Sequence, residues 1–297
     1  MSEKIIITTF TDPMMGLSWE CEPIFRKLET HFAGQIEFHT VMALLVRNVR
    51  DFMTPDELAL KPGEGIRRYN VRLAKIYESE EPIRGMPINM TDFHLFSVEQ
   101  PSSLPLNLAY HAARLTDAEN AERFLYNLRY ATVVDCRPTT QTEELLAVAR
   151  KTGIDVDTFL RHIHDGSAAE SLEQDLRVWQ GTGVHSLPAY IIQCGERAAL
   201  LQSFDYMDFV SAIEKLSSGS IKPQTPEPSI EIVREFLHKH PLISSIELRD
   251  AFDLTDTDAA RQLLQPLSDS REIEIQEANR SWFAFYRNHR TFCYTDT

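Results

Sequence analysis

The sequence predicts an α/β protein with a long helical insertion, followed by a small α+β unit. Three patterns carry this. The apolar run Ile5-Ile6-Ile7-Thr8-Thr9-Phe10 passes through a polar turn into the helical spacing of Pro23-Ile24-Phe25-Arg26-Lys27-Leu28. Helical periodicity then holds almost throughout Leu104 to Gln180, ahead of the strand-like Ala189-Tyr190-Ile191-Ile192. Last, a stretch rich in serine and proline precedes three helical segments and two alternating strands.

A second strand is expected at Ile36-Glu37-Phe38-His39-Thr40-Val41-Met42, where polar and apolar residues alternate. Asp56 to Glu81 is charged and roughly helical in period, with Pro62-Gly63 interrupting it. Within the insertion, helices are expected over Leu106–Arg114, Ala118–Ala131, Thr142–Lys151, Asp157–His164 and Ala168–Gln180. Ser217-Ser218-Gly219-Ser220 through Pro223, Pro226 and Pro228 reads as a linker. Beyond it, Ser229 caps one helix, Ile246–Phe252 forms a short second, and Asp256 opens a third. The expected division is 1–217, with the insertion at about 104–180, then a linker at 218–228 and a second unit at 229–290.

Composition narrows the function. At 297 residues the chain can bury a large core in one or two domains, and its net charge of −14 disfavours nucleic acid and anionic membranes as partners. Cys21, Cys136, Cys194 and Cys293 are scattered, with no metal-ligand spacing. Neither a signal-peptide pattern nor a membrane-length apolar run is present, so a soluble, cytoplasmic protein is expected.

The turn Thr11-Asp12-Pro13-Met14-Met15-Gly16-Leu17-Ser18-Trp19-Glu20-Cys21-Glu22-Pro23 resembles the DsbA family, in its FrnE-like, dithiol-disulfide isomerase branch. That branch has a pattern like Thr-Asp-Pro-x-Cys-x-x-Cys-Trp-x-x-Glu-Pro here. Asp12, Pro13, Trp19, Glu22 and Pro23 fit it, while its two cysteines fall on Met15 and Ser18. Gly183-Val184-His185-Ser186-Leu187-Pro188-Ala189-Tyr190 is similar to the family's Gly-Val-x-Gly-Val-Pro-x-Phe, whose proline is cis and faces the redox turn. The resemblance spans Ile5 to about Ser217 and implies a thioredoxin-like fold with a DsbA-like helical insertion. It also implies a thiol-disulfide oxidoreductase whose dithiol is replaced.

Dithiol exchange needs a thiolate to attack and a second thiol to resolve, and neither a thioether nor a hydroxyl can do that. Three functional readings follow. The first is a peptide or small-molecule binder without dithiol activity, its ligand lying in a cleft formed by Asp12, Met14, Met15, Trp19, His185, Leu187 and Pro188. The second uses Ser18 to hold a glutathione thiolate, as a resemblance to kappa-class transferases and chromene-carboxylate isomerases implies; Ser18 as a helix cap is the plainer account. The third makes Cys21 a relocated reactive thiol, against a buried inert cysteine. No cofactor is expected, glutathione being the one small ligand left open. No metal site is expected either, since His162 and His164 do not share a helical face.

In the last unit, three helices and a hairpin follow the winged-helix order. From Glu227 onward eight basic residues face thirteen acids, so a protein partner or a second copy is expected there, and not DNA. Trp282, Phe283 and Phe285 are the expected apolar contacts.

Overall fold

The computed structural model describes residues 4–287; the end of the expected 229–290 unit and Cys293 lie outside them. The chain opens with β1 (Ile5–Thr11), α1 (Gly16–Glu20), α2 (Glu22–His31) and β2 (Ile36–Met42). Alternation buries Ile5 and Ile7 on one face of β1, packed with Ile24 and Leu28, while Phe10 is buried on the opposite face with Val41 and Ala189. Seven helices follow: α3 (Pro55–Leu58), α4 (Pro62–Glu80), α5 (Leu104–Thr116), α6 (Ala121–Val133), α7 (Thr142–Lys151), α8 (Val156–His164) and α9 (Ser167–Gly181). The first unit ends with β3 (Ala189–Cys194), β4 (Arg197–Leu201) and α10 (Tyr206–Leu216).

These strands form one sheet in the order β2-β1-β3-β4. β1 runs parallel to β2, with Ile5 opposite Ile36, and antiparallel to β3, with Ile7 opposite Ile192. Helices therefore begin well before Leu104. The proline that breaks the helical period in the sequence occupies the first turn of α4, where its missing N–H costs nothing. Gly65 lets α4 lie close to α3, since a Cβ there would come within 2.4 Å of the Glu57 carbonyl oxygen.

The remaining residues form α11 (Ile230–Lys239), β5 (Leu242–Ser244), α12 (Ser245–Ala251), α13 (Thr257–Asp269), β6 (Ile273–Ala278) and β7 (Ser281–Tyr286). Their sheet has the antiparallel order β5-β7-β6. The expected caps are in place: Ser229 accepts from Ile232 N, and Asp256 from Ala259 N. Ser244 and Glu247 add a reciprocal capping box at α12.

This small α+β unit packs firmly on the first. Phe283 is fully enclosed, stacked on Trp19 at 6.2 Å and edge-on to Tyr130 at 4.9 Å. Phe285 also meets Tyr130, whereas Trp282 belongs to the small unit's own core. Glu247 is buried between the Arg26 guanidinium, 3.2 Å away, and the Tyr126 hydroxyl. The connecting segment is held as well: Gln224 N donates to His31 O at 2.8 Å, and Thr225 Oγ1 to Asp253.

Candidate functional site

The turn between β1 and α1 is built around Asp12. One carboxylate oxygen accepts from Met14 N at 3.1 Å, closing the turn. The other accepts from Leu45 N at 2.8 Å, Ser103 Oγ at 2.7 Å and Asn107 Nδ2 at 2.9 Å. Complete burial pushes this carboxyl up, and those four bonds pull against the shift. Asp12 thus ties β1 to the loop after β2 and to the start of α5, and it faces no open space.

Around this turn lies a cleft of about 230 Å³. Met14, Met15, Gly16 and Leu17 form one side, and Leu45, Val46 and Phe52 of the loop after β2 another. α4 supplies Tyr69, Leu73, Ile76, Tyr77 and Glu80, and Leu187 completes the wall. The Leu187–Pro188 peptide is cis, and Leu187, ahead of β3, borders the same cleft as the Met14–Leu17 turn. Pro188 is buried behind Leu187, and His185 is exposed on the preceding loop.

The lining is apolar apart from Glu80. Its carboxyl lies over Gly16: a Cβ on Gly16 would fall 2.1 Å from Glu80 Oε2 and 2.5 Å from the Tyr77 ring. Burial pushes Glu80 up to about 7, so near neutrality it is divided between acid and carboxylate. The Tyr77 hydroxyl donates to Met14 O and holds α4 against the turn. Behind α1, Glu20 accepts from Arg84 N at 2.8 Å and is pushed up to about 8 by burial.

Several residues expected in the site lie elsewhere. Trp19 is fully buried; its Nε1 donates to Pro87 O at 3.1 Å, and its ring packs on Tyr126. Ser18 caps nothing, because Met15 is the N-cap of α1. Its hydroxyl turns inward to Thr11 Oγ1 at 2.7 Å, in a buried polar chain with Arg129 and Glu22. Cys21 sits among Ile5, Ile7 and Ile24 in the core, 1 % exposed. Burial pushes its thiol up to about 12, with the Tyr190 hydroxyl alongside. Of the expected residues, then, Met14, Met15 and Leu187 line the cleft, whereas Asp12, Ser18, Trp19 and Cys21 are enclosed behind it.

Glu80 and the α4 wall went unforeseen. The spacing Leu73, Tyr77, Glu80 puts all three on one helical face, a signal legible once Pro62 is taken as the first helical residue. A larger cavity of about 440 Å³ lies between α2, β2, α6 and Lys239–Leu242. Ion pairs occupy its walls, Arg129 to Glu22 at 2.7 Å and Arg26 to Glu22 at 3.1 Å among them.

A four-stranded sheet of this order, interrupted by helices and bordered by a cis-proline, defines a thioredoxin-fold protein of the DsbA type. The chain belongs to the thioredoxin family, whose family model, described as Thioredoxin, matches residues 8–208. Two solved structures share its fold. A protein disulfide isomerase from Nitrosomonas europaea superposes with a TM-score of 0.55 at 15% identity, over 73% of this chain and 97% of that one. A DsbA oxidoreductase from Streptomyces coelicolor gives 0.54 at 16% identity, over 76% and 94%. Among curated proteins, the chain is similar to the ClpXP adapter protein SpxH of Shouchella clausii, 25% identical over 86% of this chain and 80% of that one. The Bacillus licheniformis protein of the same name is 23% identical over 95% and 88%. Among the described residues, no helix is long and apolar enough to cross a membrane.

Proposed function

We propose that this chain is a protein-recognition adapter: its cleft receives a peptide segment of a partner protein, and it carries out no dithiol exchange. The observation that carries this reading is the chemistry of the turn. Where exchange needs two thiols, the chain has Met15 and Ser18, and the nearest thiol, Cys21, is buried and held protonated. What is left is an apolar slot beside an extended segment, the shape that suits a side chain of a bound peptide. The relatives named as ClpXP adapters support the same role, and on that model the partner is handed to a ClpXP protease in the cytoplasm.

The C-terminal unit is taken as a winged helix serving protein contact. Its element order and the acids Asp256 and Asp258 at the start of α13 support that use over DNA reading. The inward turn of Ser18 speaks against glutathione chemistry at that hydroxyl.

Two measurements test the proposal. With scrambled ribonuclease and a glutathione couple, the purified chain should give no turnover above background. In cells, a set of proteins should have half-lives that shorten only when both this chain and ClpXP are present. Ribonuclease turnover that survives Cys21→Ser, or proteome half-lives indifferent to the chain, would refute it.

A further inference from the structure

The chain is acidic, at −14, yet Lys61 to Lys75 carries five cations against the single carboxylate of Glu64. This stretch is most of α4. Ile66, Tyr69, Leu73 and Tyr77 occupy its buried face, so its cations are driven to the surface. By helical spacing, Arg68, Arg72, Lys75 and Ile76 run along one side within about two turns. That side is the rim of the cleft, because Ile76 is one of its walls and Arg72 donates to the carbonyl of Phe52, another wall. Across the mouth, the loop bearing Leu45, Val46 and Phe52 exposes Arg47 and Arg50 with one carboxylate, Asp51, leaving it net positive. Arg72 is paired with Glu57 at 2.9 Å; among the described residues, Arg47, Arg50, Arg68 and Lys75 form no ion pair. Phe52 and Ile76 remain 43 % and 41 % exposed at the same rim.

We infer that the segment recognised here is an acidic, amphipathic peptide of a partner protein. An apolar side chain enters the cleft while aspartate or glutamate side chains meet Arg47, Arg50, Arg68 and Lys75. This rests on the peptide-binding reading above and adds to it the chemistry of the occupant. A cationic rim on an otherwise acidic molecule steers an acidic partner to one place and repels it from the rest. Nucleic acid also carries negative charge, but it would meet the repulsion of the remaining surface and leave the apolar slot unfilled.

The test uses the full chain and three fluorescein-labelled peptides of equal length, each with a central Leu-Phe pair flanked by Asp/Glu, by Ser/Gln or by Lys/Arg. A labelled random DNA duplex is the fourth probe, and anisotropy at low and high salt is the readout. The acidic peptide should bind about tenfold tighter than the neutral one and lose about tenfold with the surface variant R68E/K75E. Binding of the neutral peptide as tightly as the acidic one, or no effect of R68E/K75E, overturns this inference and leaves the peptide-binding cleft intact. If neither peptide binds, the cleft reading falls with it. Duplex binding that R68E/K75E abolishes would reassign the ridge to nucleic acid and also overturn it.

Discussion

Replacing Phe283 with alanine removes the ring that joins the small unit to the thioredoxin fold. The ring is fully enclosed, lies against Trp19 and Tyr130, and sits on β7 opposite Ser244 and Gln276, so its surroundings have little freedom to collapse. Truncation of such a phenylalanine costs about 3–5 kcal/mol, within which each aromatic pairing accounts for roughly 0.5–1.5. Against a total stability of about 5–15 kcal/mol, that is a large fraction. Phe283→Leu keeps most of the volume and should cost only about 1–1.5 kcal/mol. Urea unfolding followed by circular dichroism and tryptophan fluorescence gives the difference, and limited proteolysis at 218–228 tells whether the small unit has come away. Phe283→Ala should lower the unfolding midpoint sharply and expose the connecting segment to cleavage. A loss under about 1 kcal/mol with unchanged proteolysis would refute the idea that this ring holds the two units together.

Removing Arg26 as Arg26→Met leaves Glu247 buried without its guanidinium, and a loss of about 3 kcal/mol by chemical denaturation is expected. Glu20 supplies a pH signature. Its folded pKa of about 8 lies above the unfolded 4.5, so its contribution is complete below 4.5 and is lost as pH rises through 8. Between pH 5 and pH 9, Glu20→Gln should therefore lose less stability than the wild type, by roughly 3–5 kcal/mol; parallel curves would show that burial does not govern this group. With Cys136 and Cys293 replaced by serine, the two remaining thiols, Cys21 and Cys194, are buried. They should react with a thiol reagent only at the rate of unfolding, and rapid modification under native conditions would contradict the placement of Cys21.

Much of the fold was legible in the chain because its signals are local. The apolar run at Ile5, the alternation at Ile36–Met42 and the Ser229 and Asp256 caps each predict an element without reference to distant residues. β5 was not legible, because three residues at Leu242–Ser244 become a strand only by pairing with β7. β4 is equally quiet: Arg197–Leu201 is an edge strand with two alanines and no clean alternation. The site shows the same division. The resemblance to the DsbA family implies that Met14 and Met15 meet the segment before a cis Pro188, and the structure has both at one cleft. It cannot say which way each side chain of the five-residue α1 turns, and so Ser18 and Trp19 seemed open when both face inward. Glu80 stayed hidden because its closeness to Gly16 depends on how a helix starting 46 residues later lies across the turn.

The fourfold anchoring of Asp12 bears on how the cleft takes up a guest. One carboxylate fastens the end of β1, the loop carrying Leu45 and Val46, and the first turn of α5, while Tyr77 clamps α4 to Met14. Three walls of the slot are therefore fixed before anything enters, and the ordering entropy of association falls almost wholly on the incoming chain. Binding should leave the host backbone nearly unmoved, with a negative heat-capacity change set by the apolar area covered. Stiffening the guest, by a cyclic linkage or a proline in its extended stretch, should then tighten the complex more than any loosening of the host.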